Sequence, residues 1–275
     1  MPSQAIDIHS LALELLSAHA TTTSVPVPPS AREGEFDLRT AYQVESEIVR
    51  ARQQAGRTVR GLKVGFANKA MWRALKIDTL LWAHMYDDTV QYAAGGQGEL
   101  NVSSCYAPRI EPEIVFCWRK PITAPGLDAA TVLADHVEWI ALGFEIIDCP
   151  YPDWKFQPSD FVASMGLHRA LIVGDPMPID SGAIPELVDQ LARFTVKLYR
   201  NGELAEEGAG KNSLKNPALC LAELGSALLQ AGANEPIGDL VSSGTLTTGR
   251  DIARGETWRA EVAGLALKPL ELRLV

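Results

Sequence analysis

Apolar residues along the chain change their period near residue 60. Before that point Ile8, Leu11, Ala12 and Leu15 recur at helical spacing, which predicts an amphipathic helix over residues 5–19, ended by the proline-rich run from Thr21 to Ser30. A second helix is predicted from Leu38 to Ala55. Asp37 can cap it, Ala41, Val44, Ile48 and Ala51 share one face, and Gly56 follows its end. From Arg60 onward short apolar runs alternate with period two between Gly and Pro residues, the pattern of a β-rich domain. The expected organisation is therefore a helical N-terminal segment, 1–59, in front of a β-rich main domain, 60–275.

Within the main domain one hairpin is specified locally. Thr195–Arg200 alternates, Asn201-Gly202 supplies the two positive φ values of a type I′ turn, and a polar return strand follows. Asn216-Pro217 reads as N-cap and first helical residue, Leu221, Leu224 and Leu228 repeat helically, and Gly232 suits the position after the helix. The last forty residues predict strands at Asp239–Ser243, Thr257–Val262 and Leu270–Leu274.

Composition narrows the class. Hydrophobic residues at 47%, charged residues at 21% and a mean hydropathy of +0.00 describe a globular chain with no apolar run long enough for a membrane span. With 25 basic against 34 acidic residues, a net charge of −9 and no dense Lys/Arg block, the electrostatic footprint of a nucleic-acid binder is missing. Cys105, Cys117, Cys149 and Cys220 lie far apart with no C-x-x-C pair, so reduced thiols are expected, and the N-terminus lacks a basic region before its apolar residues. The chain reads as cytoplasmic.

The chemistry concentrates in acids. In a strand over Arg109–Phe116, Glu111 and Glu113 project to the same side as Val115 and Cys117, so two carboxylates converge on an otherwise apolar face. Burying them costs several kcal/mol unless protons, cations or a metal compensate, and oxygen ligands suit a hard cation such as Mg²⁺. An edge strand with its glutamates in water would show the same spacing, and Pro112 fits an edge. Glu145 weighs against that alternative, because it interrupts the apolar run Trp139–Ile147, where a lone charge needs either a core arginine or a function. Together the three acids favour a metal site. Lys63 lies between Gly61 and Gly65 on one strand face, suited to a cation aimed at an anionic ligand or, equally, to a solvated lysine. His84 and His168 read as structural or surface residues rather than ligands. Gly210-Lys211 lacks the remainder of a phosphate loop, and no H-E-x-x-H, G-x-S-x-G or G-x-G-x-x-G occurs.

Taken in order, Gly61–Gly65, Pro108–Glu113, Phe144–Asp148 followed by Asp153-Trp154-Lys155, and Gly238-Asp239 before Ser243-Gly244-Thr245 resemble the 2-keto-4-pentenoate hydratase family of the fumarylacetoacetate hydrolase superfamily. The resemblance spans roughly residues 38–265. It implies an α+β fold with a mixed β-roll core and a helical N-terminal part, Mg²⁺ or Mn²⁺ on Glu111, Glu113 and Glu145, and a homo-oligomer. The substrates it implies are small 2-oxo acids or dienols of aromatic catabolism, hydrated by a metal-dependent lyase. Lys63 and Asp88 match family residues expected to act in catalysis, and Thr245 falls where substrate is expected to bind. Two departures stand out. Leu80-Leu81-Trp82-Ala83 replaces a Pro-Asp-Phe-Gly in many members, so Leu81 stands where an aspartate is usual. Ala163–His168 replaces a polar, Asn-containing turn. Decarboxylation of a 2-oxo-dioate, hydrolysis of an acylpyruvate, and a catalytically silent relative that binds metal and 2-oxo acid are the alternatives.

Overall fold

A computed structural model describes residues 6–32 and 35–275; residue 5, the first of the expected N-terminal helix, lies outside them. Helix α1 (Ile8–Thr21) starts at Asp7, whose side chain accepts from Ser10 N. It runs two residues past the expected end because the chain turns left-handed only at Thr22 (φ 56°). Helix α2 (Leu38–Gln54) is capped by Asp37 as expected and buries Ala41, Val44 and Ile48.

The β-rich part then begins with β1 (Val59–Gly65), α3 (Lys69–Leu75), β2 (Leu81–Tyr86), β3 (Val90–Tyr92) and β4 (Gln97–Leu100). Next come β5 (Pro108–Trp118), α4 (Ala129–His136), β6 (Val137–Asp148), α5 (Pro158–Ala163), β7 (His168–Val173) and β8 (Met177–Pro178). The remainder is α6 (Ile184–Arg193), β9 (Thr195–Arg200), β10 (Glu203–Ala209), α7 (Pro217–Ala231), β11 (Leu240–Ser242), β12 (Arg250–Asp251), β13 (Thr257–Ala263) and β14 (Leu270–Leu274). The Asn201-Gly202 hairpin forms with both residues at positive φ (51° and 84°), and α7 carries the Asn216 cap and a left-handed Gly232.

Two mixed sheets organise these strands. The larger has the order β2-β1-β11-β5-β6-β7-β3, with β12 beside β5 and β8 beside β6; the smaller has the order β10-β9-β13-β14-β4. β1 runs parallel to β11 and β3 to β7, while the β5–β6 and β6–β7 pairs are antiparallel. The fold is thus α+β with a mixed sheet core and a helical N-terminal part. Core residues from α1, α2, both sheets and α7 form one continuous apolar cluster.

β5 is an interior strand, not an edge. Pro112 is accommodated because its carbonyl accepts from Leu246 N (2.9 Å) in the loop between β11 and β12, so its missing N–H falls at the gap where no ladder partner stands. Glu113 is thereby buried in the middle of the sheet, while Glu111, on the same face, stays partly exposed.

Candidate active site

Strand register assembles the site. Glu111 on β5 lies directly opposite Glu145 on β6, and Glu113, two residues on, faces Gly143. Cross-strand partners share a face, so the three carboxylates point the same way, and like charges in such positions repel. From β5 the register continues through Val115↔Ser242 to Ser242↔Lys63, which puts Ser242 of β11 and Lys63 of β1 on that face too. One oxygen from each of Glu111, Glu113 and Glu145 lies within 4.8 Å of the others. Around them the face is apolar, with Val115, Cys117, Ala141 and Leu171 packed together.

Lys63 is 2% exposed, so the solvated-lysine alternative does not hold. Its Nζ lies 2.9 Å from Glu145 Oε2, donates to Gly166 O at 3.0 Å, and sits 5.1 Å from the Phe161 ring centre. The glycines flanking Lys63 serve protein neighbours rather than a ligand: a Cβ at Gly61 would meet Leu240 O at 2.2 Å, and one at Gly65 would meet Phe161 Cζ at 2.2 Å. Gly166 does similar work, since a Cβ there would lie 2.6 Å from Lys63 Cδ. It sits at φ 61° between Met165 (φ 53°) and Leu167 (φ 58°), and this left-handed turn is what Ala163–His168 builds. Phe66 (φ 59°) and Trp154 (φ 56°) add to the strained backbone around the same cavity, a frequent mark of functional sites.

Charge at the site is unbalanced. Three carboxylates against the single ammonium of Lys63 (−3 and +1) leave two formal negative charges. Burial, and then the Glu145 and Glu111 charges, push the Glu113 carboxyl well above the usual range. Burial likewise raises Glu111 to about 7. Glu145 goes the other way: burial opposes its ionisation, but Lys63 and His168 together hold it below its ordinary value. Lys63 is itself raised, the acids overcoming the cost of burial. Glu113 Oε2 accepts from Ser242 Oγ and from Gly244 N (2.9 Å), yet Glu113 Oε1 is buried without any hydrogen-bond partner. An orphaned buried oxygen beside two more carboxylates, with two negative charges uncompensated, fits a hard divalent cation.

Through Glu111 the cluster opens on a cavity of about 620 Å³, with Glu113 and Glu145 buried behind it. Phe66, Phe156, Phe161, Leu167 and Trp154 supply its apolar wall, Asn212, Thr245 and Thr247 a polar rim, and Arg109 a second cation. Arg109 stacks 3.9 Å from the Trp154 ring centre and donates to Asp251 at 2.7 Å. Thr245 lines the cavity as the sequence suggested, its Oγ1 donating to Thr247 O at 2.9 Å. Leu81 is in the core opposite Gly65, on the face that carries Lys63.

Asp88 is not brought in. It lies in the turn between β2 and β3, where it pairs with Arg52 and, at 3.3 Å, with Arg57, and it does not border the cavity. The family match that made it a candidate does not show that a strand end carries it away from the carboxylate face.

His168, by contrast, was read as a bystander and lies against the acids. Its Nδ1 is 2.9 Å from Glu145 Oε1 and its Nε2 is 2.9 Å from Thr89 Oγ1. An ionised carboxylate only accepts, so Nδ1 carries the proton. Thr89 Oγ1 accepts from Tyr86 N and also lies 3.1 Å from Tyr86 O, so its one hydrogen goes either to that carbonyl or to Nε2. Burial holds the imidazole below its ordinary pKa, in keeping with that neutral form. Simple alternation hides this residue, because one bulged position sets its face.

No family model matches the chain. It is 27% identical over 242 residues to a 2-hydroxyhexa-2,4-dienoate hydratase of Comamonas testosteroni, covering 86% of this chain and 87% of that one. It is 29% identical over 232 residues to a 4-oxalocrotonate decarboxylase of Pseudomonas sp. (strain CF600), covering 84% of each. Among solved structures, the 4-oxalocrotonate decarboxylase of Pseudomonas putida G7, complexed with magnesium and adipate, superposes with a TM-score of 0.85 at 24% identity over 99% of this chain and all of that one, which establishes the fold. Together with the ordered motifs found in the sequence, these comparisons show a chain similar over most of its length to 2-hydroxydienoate hydratases and 4-oxalocrotonate decarboxylases.

Proposed function

We propose that the protein is a divalent-metal-dependent hydro-lyase that adds water to a 2-hydroxy-2,4-dienoate or the corresponding 2-oxo-alkenoate. The observation that carries this reading is the cluster of Glu111, Glu113 and Glu145, two formal charges short of balance, which opens through Glu111 on an aromatic-walled cavity beside Lys63. Glu111, Glu113 and Glu145 would hold Mg²⁺ or Mn²⁺. When bound, the ion would supply a Lewis acid that offsets negative charge developing on the substrate's 2-oxygen.

The chain's own residues do the rest. Lys63 stays protonated at neutral pH, so it acts as a fixed positive charge at the mouth of the acid cluster, steadying the enolate that forms as the dienol loses its O–H proton and gains one at the far end of the diene. Phe66, Phe156, Phe161 and Leu167 surround the conjugated chain and limit access of bulk water to it. Thr245 and Asn212, on the polar rim, are placed to orient the substrate and the water that adds its hydroxyl at C4 and its proton at C3.

Decarboxylation of a 2-oxo-dioate is the second reading, favoured by Leu81: without an aspartate there the site face has one acid fewer for water addition, whereas loss of CO₂ from the 2-oxo-dioate leaves its bond pair in an enolate that then takes a proton, with no water added. The test is a panel of 2-hydroxypenta-2,4-dienoate, oxalocrotonate-type diacids and acylpyruvates with Mg²⁺, followed by ultraviolet absorbance and product analysis. Formation of the 4-hydroxy-2-oxo acid supports the hydratase. CO₂ release alone moves the assignment to the decarboxylase, and cleavage of an acylpyruvate moves it to the hydrolase. Retained Mg²⁺ and oxalate binding without any turnover marks a silent relative.

Assembly and compartment complete the proposal. No helix among the described residues is long and apolar enough to cross a membrane, and the four cysteines are free thiols, three of them buried. We infer a cytoplasmic homo-oligomer, to be checked by light scattering on the purified protein.

A further inference from the structure

The β6–β7 ladder runs regularly through Glu145↔Leu171 and Ile146↔Ala170, then skips a residue, so that Ile147 faces His168 and Arg169 bulges out. Strict alternation from Leu171 would point residue 168 to the opposite face from Glu145. The bulge reverses it, since Ile147 and Glu145 share a face. His168 therefore meets Glu145 because of one inserted residue, and the imidazole is 3% exposed with a partner on each nitrogen.

The bulge is itself held from outside. Arg169 donates to His19 O at 2.9 Å, at the end of α1, and to Ser104 Oγ at 2.8 Å. His19 Nε2 donates back to His168 O at 3.2 Å, and Thr22, just after α1, donates from Oγ1 to Ser104 O at 2.7 Å. A loop tied to α1 thus grips the backbone of the two residues whose offset sets the imidazole.

We propose that His168 is the positioning residue for Glu145, and that the Arg169 bulge, pinned to the end of α1, sets it in place. The inference rests on the metal reading of the three acids. Glu145 lies between Lys63 on Oε2 and His168 on Oε1, so removing the imidazole leaves the lysine alone to orient the carboxylate and frees Oε1 to turn. Partners of this kind, standing behind a ligand, typically change metal affinity ~10–100-fold when removed.

The test uses the full chain, with Mg²⁺ and Mn²⁺ titrated by calorimetry and thermal unfolding followed in EDTA. His168→Ala is expected to bind either ion ~10–100-fold more weakly. His168→Asn, whose amide nitrogen occupies the place of Nδ1, is expected to stay within a few-fold of wild type, and Arg169→Met to fall between the two. A merely structural role would lower the unfolding midpoints of the Ala and Asn variants alike without separating their affinities, and that result overturns the proposal. So does wild-type affinity in His168→Ala while Glu145→Ala has lost it. Should His168→Ala not fold, Thr89→Val, which frees Nε2 but keeps the ring, takes its place: several-fold weaker binding supports the proposal and unchanged binding overturns it. Failure of the wild type to bind either ion would instead remove the metal reading itself.

Discussion

Two clusters of buried ionisable groups, one beside α2 and one on the carboxylate face, are arranged in opposite ways. Behind β2, Glu45 of α2 meets His84: Glu45 Oε1 accepts from His84 Nδ1 at 2.6 Å and from His84 N at 3.1 Å. One acid faces one base, and the pair ties α2 to the sheet. On the carboxylate face three acids share one ammonium and one neutral imidazole, and Glu113 Oε1 has no partner at all. A closed pair of this kind reads as structure. An open cluster, costly in the folded chain alone, reads as a site that something else completes.

The sharpest way to break that comparison is to remove one charge from each. Glu113→Gln is expected to abolish Mg²⁺ binding and to lower turnover by at least ~10²-fold, while leaving the unfolding midpoint in EDTA unchanged or raised, because it relieves repulsion among the acids. Lys63→Met is expected to keep Mg²⁺ binding and lose most turnover, since the lysine is assigned to the substrate rather than the ion. Calorimetry and steady-state kinetics on the same preparations separate the two. A Glu113→Gln protein that binds Mg²⁺ normally would end the metal reading.

The closed pair should answer differently. Glu45→Leu leaves His84 buried without its acceptor and is expected to cost ~3–5 kcal/mol of stability, read from denaturant unfolding, with no change in the Mg²⁺ affinity of the protein that remains folded.

The pair also has a pH signature with a definite sign. Burial alone would pull His84 down, but the Glu45 carboxylate overrides it and holds the imidazole above its ordinary 6.5. A raised histidine stabilises the fold fully below 6.5, and that contribution disappears as pH rises through its folded value. His19 is the reverse case: burial and then Arg169 lower it to about 3, so its contribution is present above 6.5 and is lost as pH falls toward 3. The stability gap between wild type and Glu45→Gln is therefore expected to be widest in mild acid and to shrink as pH is raised, in urea titrations across roughly pH 5.5 to 8.5. A gap independent of pH would show that the pair carries no net charge interaction.

Much of this was readable from the chain because it is local. The Asn201-Gly202 turn, the caps at Asp37 and Asn216, and the shared side of Glu111 and Glu113 follow from φ preferences and from the period of two, which need no knowledge of neighbours. Glu145 was legible because a charge inside an apolar run has to be compensated. Other features depend on register. Pro112 reads as an edge residue until the gap between β11 and β12 is known, and the glycines around Lys63 read as room for a ligand until Leu240 and Phe161 are seen in that space. His168 needed the bulge, which no alternation pattern encodes. The strained turn from Met165 to Leu167 was visible only as a departure from its relatives.

Asp88 carries the smallest expected effect and the most direct check on the boundary between the two kinds of charge. Its match to a family residue suggested a catalytic acid, but its carboxylate is held by Arg52 and Arg57 at the turn after β2, and it does not border the cavity. Partly exposed ion pairs contribute about 0–1 kcal/mol, and a group outside the cavity cannot exchange a proton with a substrate inside it. Asp88→Asn is therefore expected to change kcat and KM by less than about twofold and stability by at most ~1 kcal/mol. A positioned acid would cost ~10²–10⁴-fold instead, a difference too large to miss in a single assay. Loss on that scale with unchanged Mg²⁺ affinity would mean that the turn reaches the substrate in the working enzyme, and would place a charge that looks closed on the side of the open cluster.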